Sequence, residues 1–316
     1  MKKIKKFIFP ILLILCLAAG TVWQSVMTQI EKSKYCAVGN YVDVGTYQAH
    51  YYSKGSGDMA FVFIAGSGTP CAYTDFYALQ NMLSERGMTV TFDHAGSGWS
   101  SSTDSPRTIE NLTNELSLLI DTVAANKLIV LICHSLGSLE AIRYTQMNPE
   151  KVNGIIFIDS GSPEFYSTDS ELLAKMMNRG TALLRTIGLN RLMGELGCFL
   201  PLYGENIRNK SLPENVTDID KAMFYRFAGN ADSINTINLI NENATVVLEG
   251  PSLEDIPILV LSSEGGDDWN NVQTRLASWS ENSEQVTIEA SEHYLHWSNF
   301  NQVSDRIVSF VERISR

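Results

Sequence analysis

From about residue 40 to the C-terminus, short apolar runs alternate with amphipathic stretches, and no other feature restricts the fold as much. Met59–Ala65, Met88–Asp93, Lys127–Cys133 and Gly154–Asp159 are strand-length and largely apolar, the pattern of strands buried on both faces. Between them the period becomes helical. Asp75–Arg86 and Leu136–Met147 read as helices, and Thr108–Ala125 sets Ile109, Leu112, Leu116, Leu119 and Val123 on one stripe. Repeated β-α units imply a mostly parallel sheet covered by helices on both sides. Asn40–Val44 and Tyr47–Ser53 flank Gly45-Thr46 and read as a hairpin at its start. Over 161–250 the pattern turns helical and irregular. It then returns to strand Ile258–Ser262, a helix near Val272–Ser280, strand Gln285–Glu289, and a helix with Val303, Ile307, Phe310, Val311 and Ile314 on one face. Residues 161–250 are therefore expected to form an insertion over the carboxyl edge of the sheet, where open α/β folds bind ligands.

Charge removes one class of partner. The net charge is −11, but six lysines against Glu31 make the first 34 residues basic, leaving 18 bases against 34 acids in residues 35–316. A body that acidic repels phosphate, so nucleic acid is excluded. Five cysteines in 316 residues are too few for a disulfide scaffold, and no Cys/His spacing suggests zinc. Cys36, Cys71, Cys133 and Cys198 are read as unpaired thiols, the alternative being a Cys71–Cys198 bridge. No phosphate-loop, dinucleotide or H-E-x-x-H motif occurs, so no cofactor or metal is implied.

The N-terminus has its own logic. Lys2, Lys3, Lys5 and Lys6 precede an apolar run from Phe7 to about Trp23, close to the ~20 residues that cross a bilayer. Positive charge stays cytoplasmic, which puts the rest of the chain outside. Ala18-x-Gly20 is a small-x-small cleavage site, yet Val22, Trp23, Val26 and Met27 prolong the apolar character past it. Residues 1–24 are read as a single-pass membrane anchor, the alternative being a signal whose removal leaves a secreted protein. Residues 25–38 are read as a tether.

Cys133-His134-Ser135-Leu136-Gly137 lies between a buried strand and a helix. A serine on such a turn has its hydroxyl thrust out at the sheet edge, beneath a helix N-terminus. The segment resembles the nucleophile elbow, G-x-S-x-G, of the α/β-hydrolase superfamily, with Cys133 in place of the first glycine. The resemblance covers residues 40–316. It implies the α/β-hydrolase fold: an eight-stranded, mostly parallel sheet flanked by helices, with a core of 39–160 and 251–316 and a helical cap, 161–250, inserted after strand 6.

The superfamily's oxyanion loop, His-Gly-x-Gly, corresponds to Ala65-Gly66-Ser67-Gly68, so the oxyanion amides implied are those of Ser67 and Leu136. Asp93–Ser100 is similar to the D-x-x-G-x-G-x-S loop, a structural turn. The superfamily's base lies on the loop after the last strand, and His293 matches it, with His296 one helical turn on. The acid stays open between two positions. One is Asp267 or Asp268 after the seventh strand, where the usual G-x-x-D is displaced. The other is Asp159 at the end of the sixth. These parts imply a serine hydrolase acting on an ester or amide carbonyl through an acyl-enzyme, esterase- or lipase-like by default. Peptidase, carbon–carbon hydrolase and acyltransferase chemistry share the same parts. Relatives that open epoxides carry aspartate at the elbow. Met176, Met177, Leu183, Leu184 and Phe224 in the cap favour a small-molecule substrate with an apolar acyl part. The competing expectation is a catalytically silent fold that binds a ligand or partner at the cell envelope. Nothing in the sequence bears on oligomeric state.

Overall fold

A computed structural model describes residues 2–197 and 211–315; Cys198, half of the bridge suggested above, lies outside them. Eight strands form one sheet: β1 (Asn40–Asp43), β2 (Gln48–Lys54), β3 (Met59–Ile64), β4 (Met88–Phe92), β5 (Leu128–His134), β6 (Val152–Ile158), β7 (Ile258–Ser262) and β8 (Ser283–Thr287). Their spatial order is β1-β2-β4-β3-β5-β6-β7-β8. The β1/β2 and β2/β4 pairs are antiparallel and the rest parallel. The alternation implied such a mostly parallel sheet, and its eight strands agree with the fold that the resemblance implied.

Alternate residues of the central strands feed two cores. Val62, Ile64, Leu131 and Cys133 face one side of the sheet, with Leu116, Leu119 and Ile142 of the covering helices. Phe61, Phe63, Val130 and Ile132 face the other, with Leu79, Leu83, Ile307 and Phe310. Each such side chain contributes about 1.5–3 kcal/mol on burial. That is why the central runs are apolar at every position.

The helices, in chain order, are α1 (Lys2–Lys34), α2 (Ala72–Asp75), α3 (Tyr77–Leu83), α4 (Ile109–Val123), α5 (Gly137–Met147), α6 (Pro163–Thr168), α7 (Glu171–Thr186), α8 (Leu189–Glu195), α9 (Glu214–Phe227), α10 (Ala231–Asn238), α11 (Ile240–Leu248), α12 (Asp267–Ala277), α13 (Leu295–Ser298) and α14 (Phe300–Ile314). Side-chain caps fix several starts: Thr108 accepts from the Asn111 amide, Ser162 from Phe165 and Asn230 from Ser233. Helices α6 to α11 all fall between β6 and β7.

The stretch read as a tether, 25–38, is helical as far as Lys34, where α1 ends. The stretch is held helical by docking: Gln24 is buried and Glu31 pairs with Arg191. The single helix expected over 75–86 is broken at Phe76, whose backbone lies at φ −100° and ψ 11°. Beside the break, the Trp297 indole donates to the Asp75 carbonyl at 3.0 Å, a contact from 222 residues away.

Candidate active site

Strand register assembles the site. Ile64 pairs with Cys133, His134 with Ile158, and Ile158 with Leu261. The chain therefore leaves β3, β5, β6 and β7 side by side at one sheet edge. Four connections meet there: the glycine loop after Ile64, the turn at Ser135, Asp159, and the segment after Ser262.

Ser135 holds φ at +52°, a strained value for a residue with a side chain, at roughly 1–3 kcal/mol. The strain turns the hydroxyl away from both strand and helix. Glycines on either side make room. A Cβ on Gly137 would lie 2.9 Å from the Ile64 carbonyl oxygen, and one on Gly66 would lie 2.9 Å from His134 Nδ1 and 3.0 Å from Ser135 Cβ. The loop after β3 can thus rest directly on the turn. Cys133 causes no conflict, because it is still inside β5 and faces the core. Burial pushes its thiol pKa well up, so it is a packing residue and not a thiolate.

His293 joins two of the sequence candidates. Its Nε2 lies 3.2 Å from Ser135 Oγ and its Nδ1 lies 2.7 Å from Asp159 Oδ2. The carboxylate fixes the tautomer: Nδ1–H donates to Asp159, leaving Nε2 to accept from the serine hydroxyl. Asp159 is buried, at φ +43°. Its second oxygen accepts from the Ser263 amide at 2.7 Å and the Trp269 indole at 2.9 Å. Asp267 and Asp268, the other acid candidates, are exposed in the first turn of α12. The segment that leads to them instead supplies two donors, the Ser263 amide and the Trp269 indole, to the Asp159 carboxylate.

A second imidazole steadies the first. His134 Nε2 donates to the His293 backbone carbonyl at 3.1 Å, and the two rings lie 4.7 Å apart. His296 points away, stacked on Phe76 in the core. It lies 3.5 Å from Asp75. Asp75, His134 and His296 bring ligand atoms within 4.8 Å of one another, the grouping among the described residues that could hold a metal ion.

The amides of Ser67 and Leu136 have no acceptor among the described residues and both border the cleft that contains Ser135 and His293. That cleft is walled by Tyr166 of α6, Ala174, Met177 and Asn178 of α7, and Ile237 and Ile240. Tyr166 escaped the sequence reading. Its hydroxyl accepts from the Gly161 amide at 3.3 Å, and a Cβ on Gly161 would strike its ring at 2.5–2.8 Å. Burial raises its phenol pKa, opposed by hydrogen bonding to Ser135 and Gly161. An aromatic residue just after a Gly-Ser-Pro turn was the available signal. A second cavity shares Ser67 and Leu136 and is of mixed polarity. Ile109, Leu112 and Leu139 line it beside His94, Glu140 and Asp232. Desolvation raises the Asp232 carboxyl pKa.

The Asp93 turn is built as a scaffold. Its carboxylate accepts from the amides of Ala72 and Trp99 and from His50 Nδ1, with Gly98 at φ +49° against it.

A family model described as alpha/beta hydrolase fold matches residues 60–300. Among curated proteins, an uncharacterized protein of Bacillus subtilis, YbdG, is 27% identical over 229 residues, covering 71% of this chain and 68% of that one. Among solved structures, epoxide hydrolase I of potato, Solanum tuberosum, superposes at a TM-score of 0.69 with 16% identity, covering 87% of this chain and 99% of the other. A thermophilic esterase of Thermogutta terrifontis gives 0.65 and 18%, with the same two coverages. At those identities the structural likeness is one of fold.

Proposed function

The chain belongs to the alpha/beta hydrolase fold family, a hydrolase-type enzyme, and from that premise we propose that it is a serine hydrolase acting on an ester or amide carbonyl. One observation carries the reading: a single imidazole bridges a strained, outward serine at 3.2 Å and a buried, three-donor carboxylate at 2.7 Å. In this mechanism Ser135 Oγ attacks the carbonyl carbon and His293 Nε2 takes its proton. Asp159 stabilises the imidazolium that forms. The carbonyl oxygen, now negative, is received by the Ser67 and Leu136 amides. His293 then protonates the leaving group, and a water deprotonated by the same Nε2 releases the acyl group and regenerates Ser135. Residues 39–160 and 251–316 serve as the catalytic core, and 161–250 as a cap that shapes the acyl pocket. Esterase-type chemistry is the reading preferred, since a serine stands where epoxide-opening relatives carry aspartate. We further assign α1 as the membrane anchor of an enzyme whose body lies outside the cytoplasm.

The test is chemical. The full chain should react with a fluorophosphonate probe at Ser135 and hydrolyse p-nitrophenyl esters. Ser135→Ala should abolish labelling and lower turnover by roughly three or more orders of magnitude without changing the melting temperature. A folded chain that neither labels nor turns over any ester of rising chain length would leave a silent, ligand-binding fold.

A further inference from the structure

We propose that the cap rests on the bilayer through the outer face of α7, and that substrate enters the Ser135 cleft from the lipid. The second half rests on the serine-hydrolase reading and names its substrate class: esters of membrane-resident amphiphiles with long acyl chains.

The first observation is how α1 meets the cap. Gly20 lies against the backbone of Ile187 and Gly188, at the corner joining α7 to α8, where a Cβ on Gly188 would come within 2.6 Å of the Gly20 carbonyl oxygen. A few residues on, the buried Gln24 donates to the Tyr225 carbonyl at 2.6 Å and accepts from Arg191 at 2.8 Å. Arg191, itself buried, forks onto Glu31 and lies 4.5 Å from the Tyr225 ring centroid. A forked guanidinium–carboxylate pair tolerates little change of angle, so anchor and cap move as one body. Gly20 falls inside the apolar run that ends near Trp23. At about 1.5 Å per residue that run is about as long as a bilayer's hydrocarbon core is thick. An α1 that crosses the membrane therefore carries the α7–α8 corner to the edge of the hydrocarbon.

The second observation is what the cap shows there. Leu172, Leu173, Met176 and Leu183 of α7 are each between 62% and 67% exposed, and Leu196, just past α8, is 68% exposed. Water-facing helices rarely carry such a set, and contiguous apolar surface on a monomer marks a contact site. The same helix bears Lys175 and the exposed Arg179 in a strongly acidic body, the charge that anionic headgroups attract, whereas Arg185 turns inward and donates to the Arg226 carbonyl at 2.8 Å. Apolar residues and bases on one helix suit the plane of the interface.

The third observation links this face to the chemistry. Ala174, Met177 and Asn178, on the same helix as Met176, wall the cleft of Ser135 and His293. Helix α7 is thus a partition with lipid on one side and the nucleophile on the other, and an acyl chain need only cross it.

Two readouts test the proposal on the full chain in vesicles of phosphatidylcholine and phosphatidylglycerol. In a background with Cys16, Cys36 and Cys198 changed to serine, an environment-sensitive fluorophore is attached at Met176→Cys or, as control, at Leu128→Cys near the start of β5. The label at 176 should be blue-shifted and quenched by doxyl lipid, and the label at 128 should stay water-like. A water-like signal at 176 overturns the seating. A shielded signal that lipid does not quench overturns it too, since protein would then cover the face. The double variant Leu172→Asp, Leu173→Asp should lose about tenfold or more on a long-chain ester dissolved in the vesicles, with p-nitrophenyl acetate turnover kept within about twofold. Equal loss on both esters, or none on either, overturns delivery from the lipid. If the unsubstituted chain hydrolyses neither ester, the serine-hydrolase reading fails and takes the delivery half with it, while the quenching result still decides where the cap sits.

Discussion

Three donors converge on the carboxylate of Asp159: the His293 Nδ1–H, the Ser263 amide and the Trp269 indole. Together they fix the carboxylate's orientation, with one oxygen aimed at the His293 ring. The sequence divided this role between Asp159 and the Asp267/Asp268 pair for a physical reason. Which loop gives the acid and which gives the donors depends on how β6 and β7 end relative to each other, a tertiary fact that no local pattern encodes. That Ser135 and His293 would meet was legible because each sits at a fixed offset from its own strand. The prediction at this scale is a contrast. Asp159→Asn should lower ester turnover by about two to four orders of magnitude, since the amide can hold the wrong tautomer. Asp267→Asn and Asp268→Asn, exposed on α12, should leave it within about twofold. Steady-state kinetics on the three variants checks this, and a large loss at Asp268 with none at Asp159 would reverse the assignment.

Elements were legible where one residue pattern served one purpose. The central strands read correctly because both faces are buried, and α4 because its stripe meets one core. Where a distant residue decides the matter, the reading fell short. Nothing near Phe76 announces the break between α2 and α3, and the polar positions after residue 24 look like linker until Arg191 is placed against them. The α1 contact is testable as an element. Arg191→Ala leaves Gln24 and Glu31 without their shared partner at a buried joint. Breaking a buried pair costs about 3–5 kcal/mol, and Glu31 keeps some access to solvent, so roughly 2–3 kcal/mol is expected here. The full chain in detergent should show a lower melting temperature, with new proteolytic cuts within residues 25–38. An unchanged melting temperature and cleavage map would mean that α1 does not depend on this joint.

At the scale of the whole molecule, a basic leader, a long apolar helix and an acidic body must be reconciled with one membrane. Loops rich in lysine stay in the cytoplasm, and Lys2, Lys3, Lys5 and Lys6 fill that role. The acidic remainder would then lie outside, reaching an anionic surface only through a cap helix with bases of its own. Cleavage after Gly20 competes with this arrangement. It would cut a continuous helix from Lys2 to Lys34 at the residue that packs against Ile187 and Gly188. A peptidase needs its site extended, whereas this one is helical and held on one side by the cap. Retention of the anchor is therefore the expected outcome. Fractionated cells should hold the chain in the membrane at its full mass of 35.1 kDa, resistant to extraction by salt or carbonate, with the body digested by protease added from outside. A soluble product beginning at Thr21 would show that export precedes docking, and that the helix is freed before the cap can fold against it.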